Sequence, residues 1–120
     1  MSVAIIGGSV SPSTALSLNA QTGTTYTFVL TDANNTLVTA SNASAQTYTI
    51  PPNSSVAYPV GAQLNIIQIG AGQVSFAQGS GVTIASNGAT STAPKLRVQY
   101  SSASAIKVAT DSWYVVGDIS

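Results

Sequence analysis

The side chains able to do chemistry are few: three carboxylates (Asp32, Asp111, Asp118), three cations (Lys95, Arg97, Lys107) and an aromatic pair, Trp113 and Tyr114. His, Cys and Glu are absent. The commonest general bases, thiolate nucleophiles and metal ligands are therefore missing, and a Ser-His-Asp triad cannot be built. These residues predict a protein that is not an enzyme, with no catalytic residues, no cofactor and no metal. Asp32 opens an Asp-Ala-Asn-Asn-Thr segment in which Asn34 and Thr36 stand at alternate positions, as in a calcium loop. The Gly and the terminal Glu of such a loop are missing, so an Asp-initiated turn is the expected reading. Asp111 and Asp118 read as turn and terminus residues.

Trp113 and Tyr114, with Tyr58, form a candidate platform for a sugar ring, since aromatic residues with a polar tip suit such stacking. The competing reading puts Trp113 in the core and Tyr114 at a subunit contact. Three N-x-Ser/Thr sequons, at Asn34, Asn42 and Asn53, occur in a chain rich in Asn and Ser and are expected to be bare.

These few groups sit in an uncommonly neutral chain. Charged residues make up 5% and hydrophobic ones 44%, against about 25% charged in an ordinary globular protein. From Thr49 to Ile84 there is no charge at all. The net charge is zero, which removes the basic footprint that nucleic acid requires and the repulsion that keeps copies apart. Association is therefore expected, and nucleic acid is not. No run reaches the roughly eighteen apolar residues of a membrane span, and the first residues carry neither a basic n-region nor a long apolar h-region. No membrane partner follows, and synthesis in a cytoplasm is expected. At 120 residues one core is enough, hiding roughly two-thirds of the unfolded surface.

The elements that must position these residues are strands. Residues 1–23 read as an extended N-terminal arm, and residues 24–120 as a single all-β, antiparallel sandwich or barrel-like domain of about nine or ten short strands. Val3, Ile5, Ile6, Val10, Leu16 and Leu18 are the arm's candidate docking contacts, because each large apolar side chain left wet forfeits roughly 1.5 to 3 kcal/mol. The arm's Ala-Ile-Ile-Gly-Gly-Ser lacks the G-x-G-x-x-G of a nucleotide turn. Strands are predicted over 24–31, 36–40 and 45–50, ended by Asp32-Ala-Asn-Asn and by Pro51-Pro52. Leu64, Ile66, Ile67 and Ile69 break simple alternation, which predicts a central strand that is buried on both faces or bulged at Ile66-Ile67. Ile67 joins Tyr114 as a candidate subunit contact. Val74 with Phe76 and Val82 with Ile84 mark two further strands, and 87–94 reads as a loop.

Leu96, Val98 and Tyr100 alternate with Lys95, Arg97 and Gln99, predicting a strand whose partner carries Ile106 and Val108. Of the two registers that keep apolar faces together, one sets Arg97 against Lys107. The other sets Gln99 against Lys107 and Val98 against Val108, and it is expected because like charges repel. A Thr110-Asp111 turn then pairs Val108 with Trp113 and Ile106 with Val115.

Five segments carry a resemblance: Thr-Ile-Pro-Pro-Asn at 49–53, Pro-Val-Gly at 59–61, Ile-x-x-Gly-Ala-Gly-Gln-Val at 67–74, Gly-Ser-Gly-Val-Thr-Ile at 79–84 and Trp-x-Val-x-Gly-Asp at 113–118. From Asp32 to Ser120 the chain resembles a β-rich domain of tailed-bacteriophage virion proteins, found at tail-fibre ends and in small capsid decoration (cement) proteins. The resemblance implies a homotrimer without catalytic residues. Two functions are consistent with it: a decoration subunit on the capsid surface, bridging neighbouring copies of the major capsid protein, or a tail-fibre receptor-binding module that recognises host surface glycan. The sequence shows a short apolar arm and no heptad shaft, collagen-like repeat or long β-helical stalk, which favours the first. A neutral β-sandwich adhesin unrelated to phage is the third reading.

Overall fold

The computed structural model describes residues 15–120. Val3, Ile5, Ile6 and Val10 lie outside the described residues. Those described are mostly β, with no α-helix. They form β1 Ser17–Gln21, β2 Thr25–Thr27, β3 Thr36–Ala40, β4 Gln46–Ile50, β5 Gln63–Gln68, β6 Val74–Gln78, β7 Thr83–Ala85, β8 Ser102–Ala109 and β9 Ser112–Gly117, with a short 3₁₀ turn at Leu30–Ala33. Two open sheets result, a six-stranded one in the order β1-β3-β5-β8-β9-β7 and a three-stranded one in the order β2-β4-β6. Neither closes into a barrel.

Antiparallel pairing was expected, and the strands correct it. β1–β3, β3–β5, β2–β4, β4–β6 and β7–β9 are parallel, and only β5–β8 and β8–β9 are antiparallel. The chain winds as a coil. Each of three turns lays one strand in each sheet, so β3 and β4 stack on β1 and β2, and β5 and β6 stack on β3 and β4. The sequence carries the mark of this winding in a repeated Thr-Tyr-Thr, at 25–27 and at 47–49. The two copies stack in register, with Tyr26 against Tyr48, and Phe76 continues the row. Ring centroids of Tyr26 and Tyr48 lie 5.5 Å apart, and Phe28 stacks on Phe76 at 6.3 Å. Tilted and offset rings at such distances add about 0.5 to 1.5 kcal/mol per pair beyond the burial itself.

Period-2 alternation sends one set of side chains inward from every strand. Val38, Ala40, Tyr48, Ile50, Leu64, Ile66, Val74, Phe76, Ile84, Trp113 and Val115 are all buried in one core to which both sheets contribute. Buried amides close its corners. Gln68 Nε2 donates to the Gly70 carbonyl while its Oε1 accepts from Val74 N–H at 3.0 Å, and Gln46 Nε2 reaches the Gly72 carbonyl at 3.3 Å. Corner stacks on corner here: Gly72 N–H donates to the Asn42 carbonyl at 2.8 Å, and Asn42 Nδ2 donates to Thr22 O at 2.8 Å.

β5 is the third strand of six, a central position. Its register with β8 runs unbroken through Ile66 and Ile67, so there is no bulge, and one face is fully buried while the other is half-covered. The other departures have local causes. The strand expected over 24–31 ends at Thr27 because the chain turns into the 3₁₀ segment. The strand expected at Leu96–Tyr100 is replaced by a turn in which Tyr100 has a φ of 70° and donates its N–H to the Gln68 carbonyl. Leu96 bridges to Ile119 instead, so the Gln99–Lys107 register does not form. In the final hairpin Ala109 pairs with Ser112 across the expected turn, but a bulge between Lys107 and Ala109 then shifts the ladder. Lys107 pairs with Trp113 and Ala105 with Val115, replacing the expected partners Val108 and Ile106. The bulge lets Lys107 point inward to buried acceptors.

Candidate functional site

Of the six charged side chains, two are core groups. Asp32 is buried, with Oδ1 accepting from Asn19 Nδ2 at 2.9 Å and Oδ2 accepting from Tyr26 O–H at 2.6 Å and Val29 N–H at 2.9 Å. Both oxygens are occupied by protein donors, and they close the β1–β2 end of the core. Lys107 is buried as well, donating to Asn53 Oδ1 at 2.7 Å and to the Tyr58 carbonyl at 2.6 Å. Asn53 in turn donates its N–H to Asp111 Oδ1 at 2.7 Å. Buried charges are tolerated when they are hydrogen-bonded in this way. Among the described residues no group of three or more metal-binding side chains forms, and no helix is long and apolar enough to cross a membrane.

The exposed pair, Arg97 and Asp118, is bidentate at 2.7 and 3.1 Å, and Ser101 Oγ donates to the same carboxylate at 2.6 Å. The Arg97 hydrogen bond, reinforced by that of Ser101, holds the Asp118 carboxyl below its ordinary range. Three tyrosines move the other way. Burial pushes Tyr48 up to about 12; burial first, then its hydrogen bond to Asp32 and that carboxylate's charge, raises Tyr26, and burial followed by the charge of Asp32 raises Tyr58, both well above the usual phenol. The three tyrosine rings pack in or against the core.

The aromatic candidates separate. Trp113 is buried edge-on against Tyr58, with centroids 5.3 Å apart, and Tyr58 donates its hydroxyl to the Val29 carbonyl at 2.8 Å. Burial removes both from any surface platform. Tyr114 alone is exposed, at 53%, beside an open groove of about 410 Å³ that Ala85, Ser86, Asn87 and Val116 help to line.

Tyr114 belongs to a larger surface, the outer face of the six-stranded sheet. Alternation puts Leu18, Leu37, Ile67, Ile106, Tyr114 and Val116 on it, and the ladders set Leu18 beside Leu37 and Ile106 beside Tyr114. Leu18 is 71% exposed and Val116 53%, while Leu37, Ile67 and Ile106 are half-buried. Between the two apolar groups runs a polar stripe. Ser104 Oγ donates to Asn65 Oδ1 at 2.7 Å, and Gln63 Nε2 donates to the same oxygen at 2.9 Å. None of the strand residues on this face is charged; no charge occurs anywhere between Asp32 and Lys95. Leu16, the residue before β1, is 47% exposed.

Sequence reasoning named Leu18, Ile67 and Tyr114 but missed Leu37, Ile106 and Val116. Strict alternation from Tyr114 to Val116 was the available signal. Searches of family models, of curated proteins and of solved structures find no match to this chain.

Proposed function

We propose that this chain is a structural virion protein of a tailed bacteriophage, a homotrimeric capsid decoration subunit that bridges copies of the major capsid protein. The observation that carries this reading is the uncharged, partly apolar outer face of the six-stranded sheet, since contiguous exposed apolar patches mark association sites. Sequence resemblance supports the virion setting. We read the two sheets as the layers of a flattened sandwich, with Val3, Ile5, Ile6 and Val10 as capsid contacts. The test is to add purified protein to heads lacking it and to host cells. Co-sedimentation with heads, lost on removing residues 2–14 without loss of the cooperative melt, is the expected result. Binding to cells alone would overturn it.

The groove beside Tyr114 favours the second reading, a tail-fibre module that recognises host surface glycan. Under it, Tyr114→Ala weakens cell binding at unchanged melting temperature.

A further inference from the structure

The outer faces of the two sheets differ in what they could gain by being covered. On the three-stranded sheet the outward rows are Thr25, Thr47 and Ser75, then Thr27, Thr49 and Ala77, stacked in register. These short side chains, hydroxyl-bearing at every position but Ala77, gain little from burial. On the six-stranded sheet the outward residues are Leu, Ile, Val and Tyr on either side of an amide and hydroxyl stripe. Covering the exposed parts of these large apolar side chains removes them from water, which favours association.

What covers that face is set by its polar chemistry. Gln63, Asn65 and Ser104 each carry a donor and an acceptor. Gln63 Nε2 donates to Asn65 Oδ1 and to Ser104 Oγ, Ser104 Oγ donates to Asn65 Oδ1, and Asn65 Nδ2 reaches the Thr36 carbonyl at 3.5 Å, so the stripe is knit together without charge and keeps Gln63 Oε1 and one Asn65 N–H for an outside partner. A partner with Lys, Arg, Asp or Glu at its contact would have to bury that charge against a surface that offers no counter-charge, which is unfavourable. The matching surface is itself neutral, part apolar and part amide. The chain supplies one on its own copies: amide and hydroxyl groups that can each donate or accept find partners on an identical neutral surface without burying a charge.

We propose that the outer face of the six-stranded sheet, centred on Ile106, Tyr114 and Val116, is the surface by which copies of this chain bind one another. This deepens the assembly part of the proposed function, and it stands whether or not the assembly sits on a virion. The free chain then associates through neutral contacts, so its affinity changes little with salt, unlike a charge-steered interface.

Sedimentation equilibrium of the full chain tests it. The expected mass is at least twice the 12.0 kDa monomer, and three times it for the homotrimer proposed above, equal at low and high salt. Ile106→Lys and, separately, Val116→Lys reduce it to the monomer while a cooperative melt is retained. Thr47→Lys, the same added charge on the other sheet, leaves the assembly intact. The proposal is overturned if the wild type is a monomer at all concentrations, or if both outer-face variants fold and keep the wild-type mass. Head binding measured on the same variants separates the two readings. A wild-type monomer that binds heads through this face refutes self-association and keeps the virion role; an intact oligomer that ignores heads does the reverse.

Discussion

Gly72 rests on the backbone of Ser44: a Cβ built on the glycine would overlap the Ser44 carbonyl oxygen. Gly70 is almost as close, its Cβ position lying 2.5 Å from the Asn42 nitrogen. The third turn of the coil can stack on the second at this corner only if both residues lack a side chain. Gly72→Ala is therefore expected to destabilise the fold by about 3 kcal/mol, the upper range for forcing a methyl into packed surroundings. Thermal denaturation measures this, and an unchanged melting temperature would show that the corner opens freely.

Lys107 donates to Asn53 Oδ1 and to the Tyr58 carbonyl from inside the core. Lys107→Met keeps the length of the side chain and removes the donors, leaving both acceptors unserved. A loss of about 1 to 3 kcal/mol in urea unfolding is expected. A gain would mean that the cost of desolvating the ammonium outweighs its two bonds.

Asp32 is saturated by Asn19, Tyr26 and Val29. Asp32→Ala orphans three donors at the β1–β2 end and is expected to lower stability by about 3 kcal/mol or more. With both oxygens engaged, calcium and a chelator are expected to leave the wild-type melting temperature alike. A calcium-dependent rise would reopen the loop reading of the Asp32 segment.

Tyr26, Tyr48 and Tyr58 all have their phenol pKa raised in the fold. The folded state therefore favours the neutral form, and this stabilisation is complete below the unfolded tyrosine pKa of about 10 and is lost as pH rises through the folded values. The melting temperature is expected to fall by several degrees between about pH 9 and about pH 12. Near-ultraviolet absorbance at matched pH reads the ionisation directly. A flat profile would contradict the burial of these rings.

Much of the local structure was legible. Alternation in Thr36–Ala40 and Gln46–Ile50, with Pro51-Pro52 as a stop, defines β3 and β4, because period 2 is a property of any pleated strand. For the same reason it is silent on direction: a parallel stack and an antiparallel hairpin send the same residues inward. The Thr-Tyr-Thr repeat, which stacks Tyr26 on Tyr48, was the signal for the coil, and a search for internal repeats finds it. Lys107 misled the register because a cation was placed on the solvent face, whereas its inward side chain is satisfied by Asn53 and Tyr58. Trp113 and Tyr114 show the same limit at the surface. Adjacent residues on a strand face opposite ways, so only one of an aromatic pair can be offered to a ligand.

Because the chain has no cysteine, a single Val116→Cys places one thiol on the outer face, and its reaction rate with a soluble thiol reagent reports whether that face is covered. At high protein concentration the thiol is expected to react many-fold more slowly than at high dilution, and a second change, Ile106→Lys, restores the fast rate at all concentrations. A rate that is fast and independent of concentration in the single variant would contradict a covered outer face.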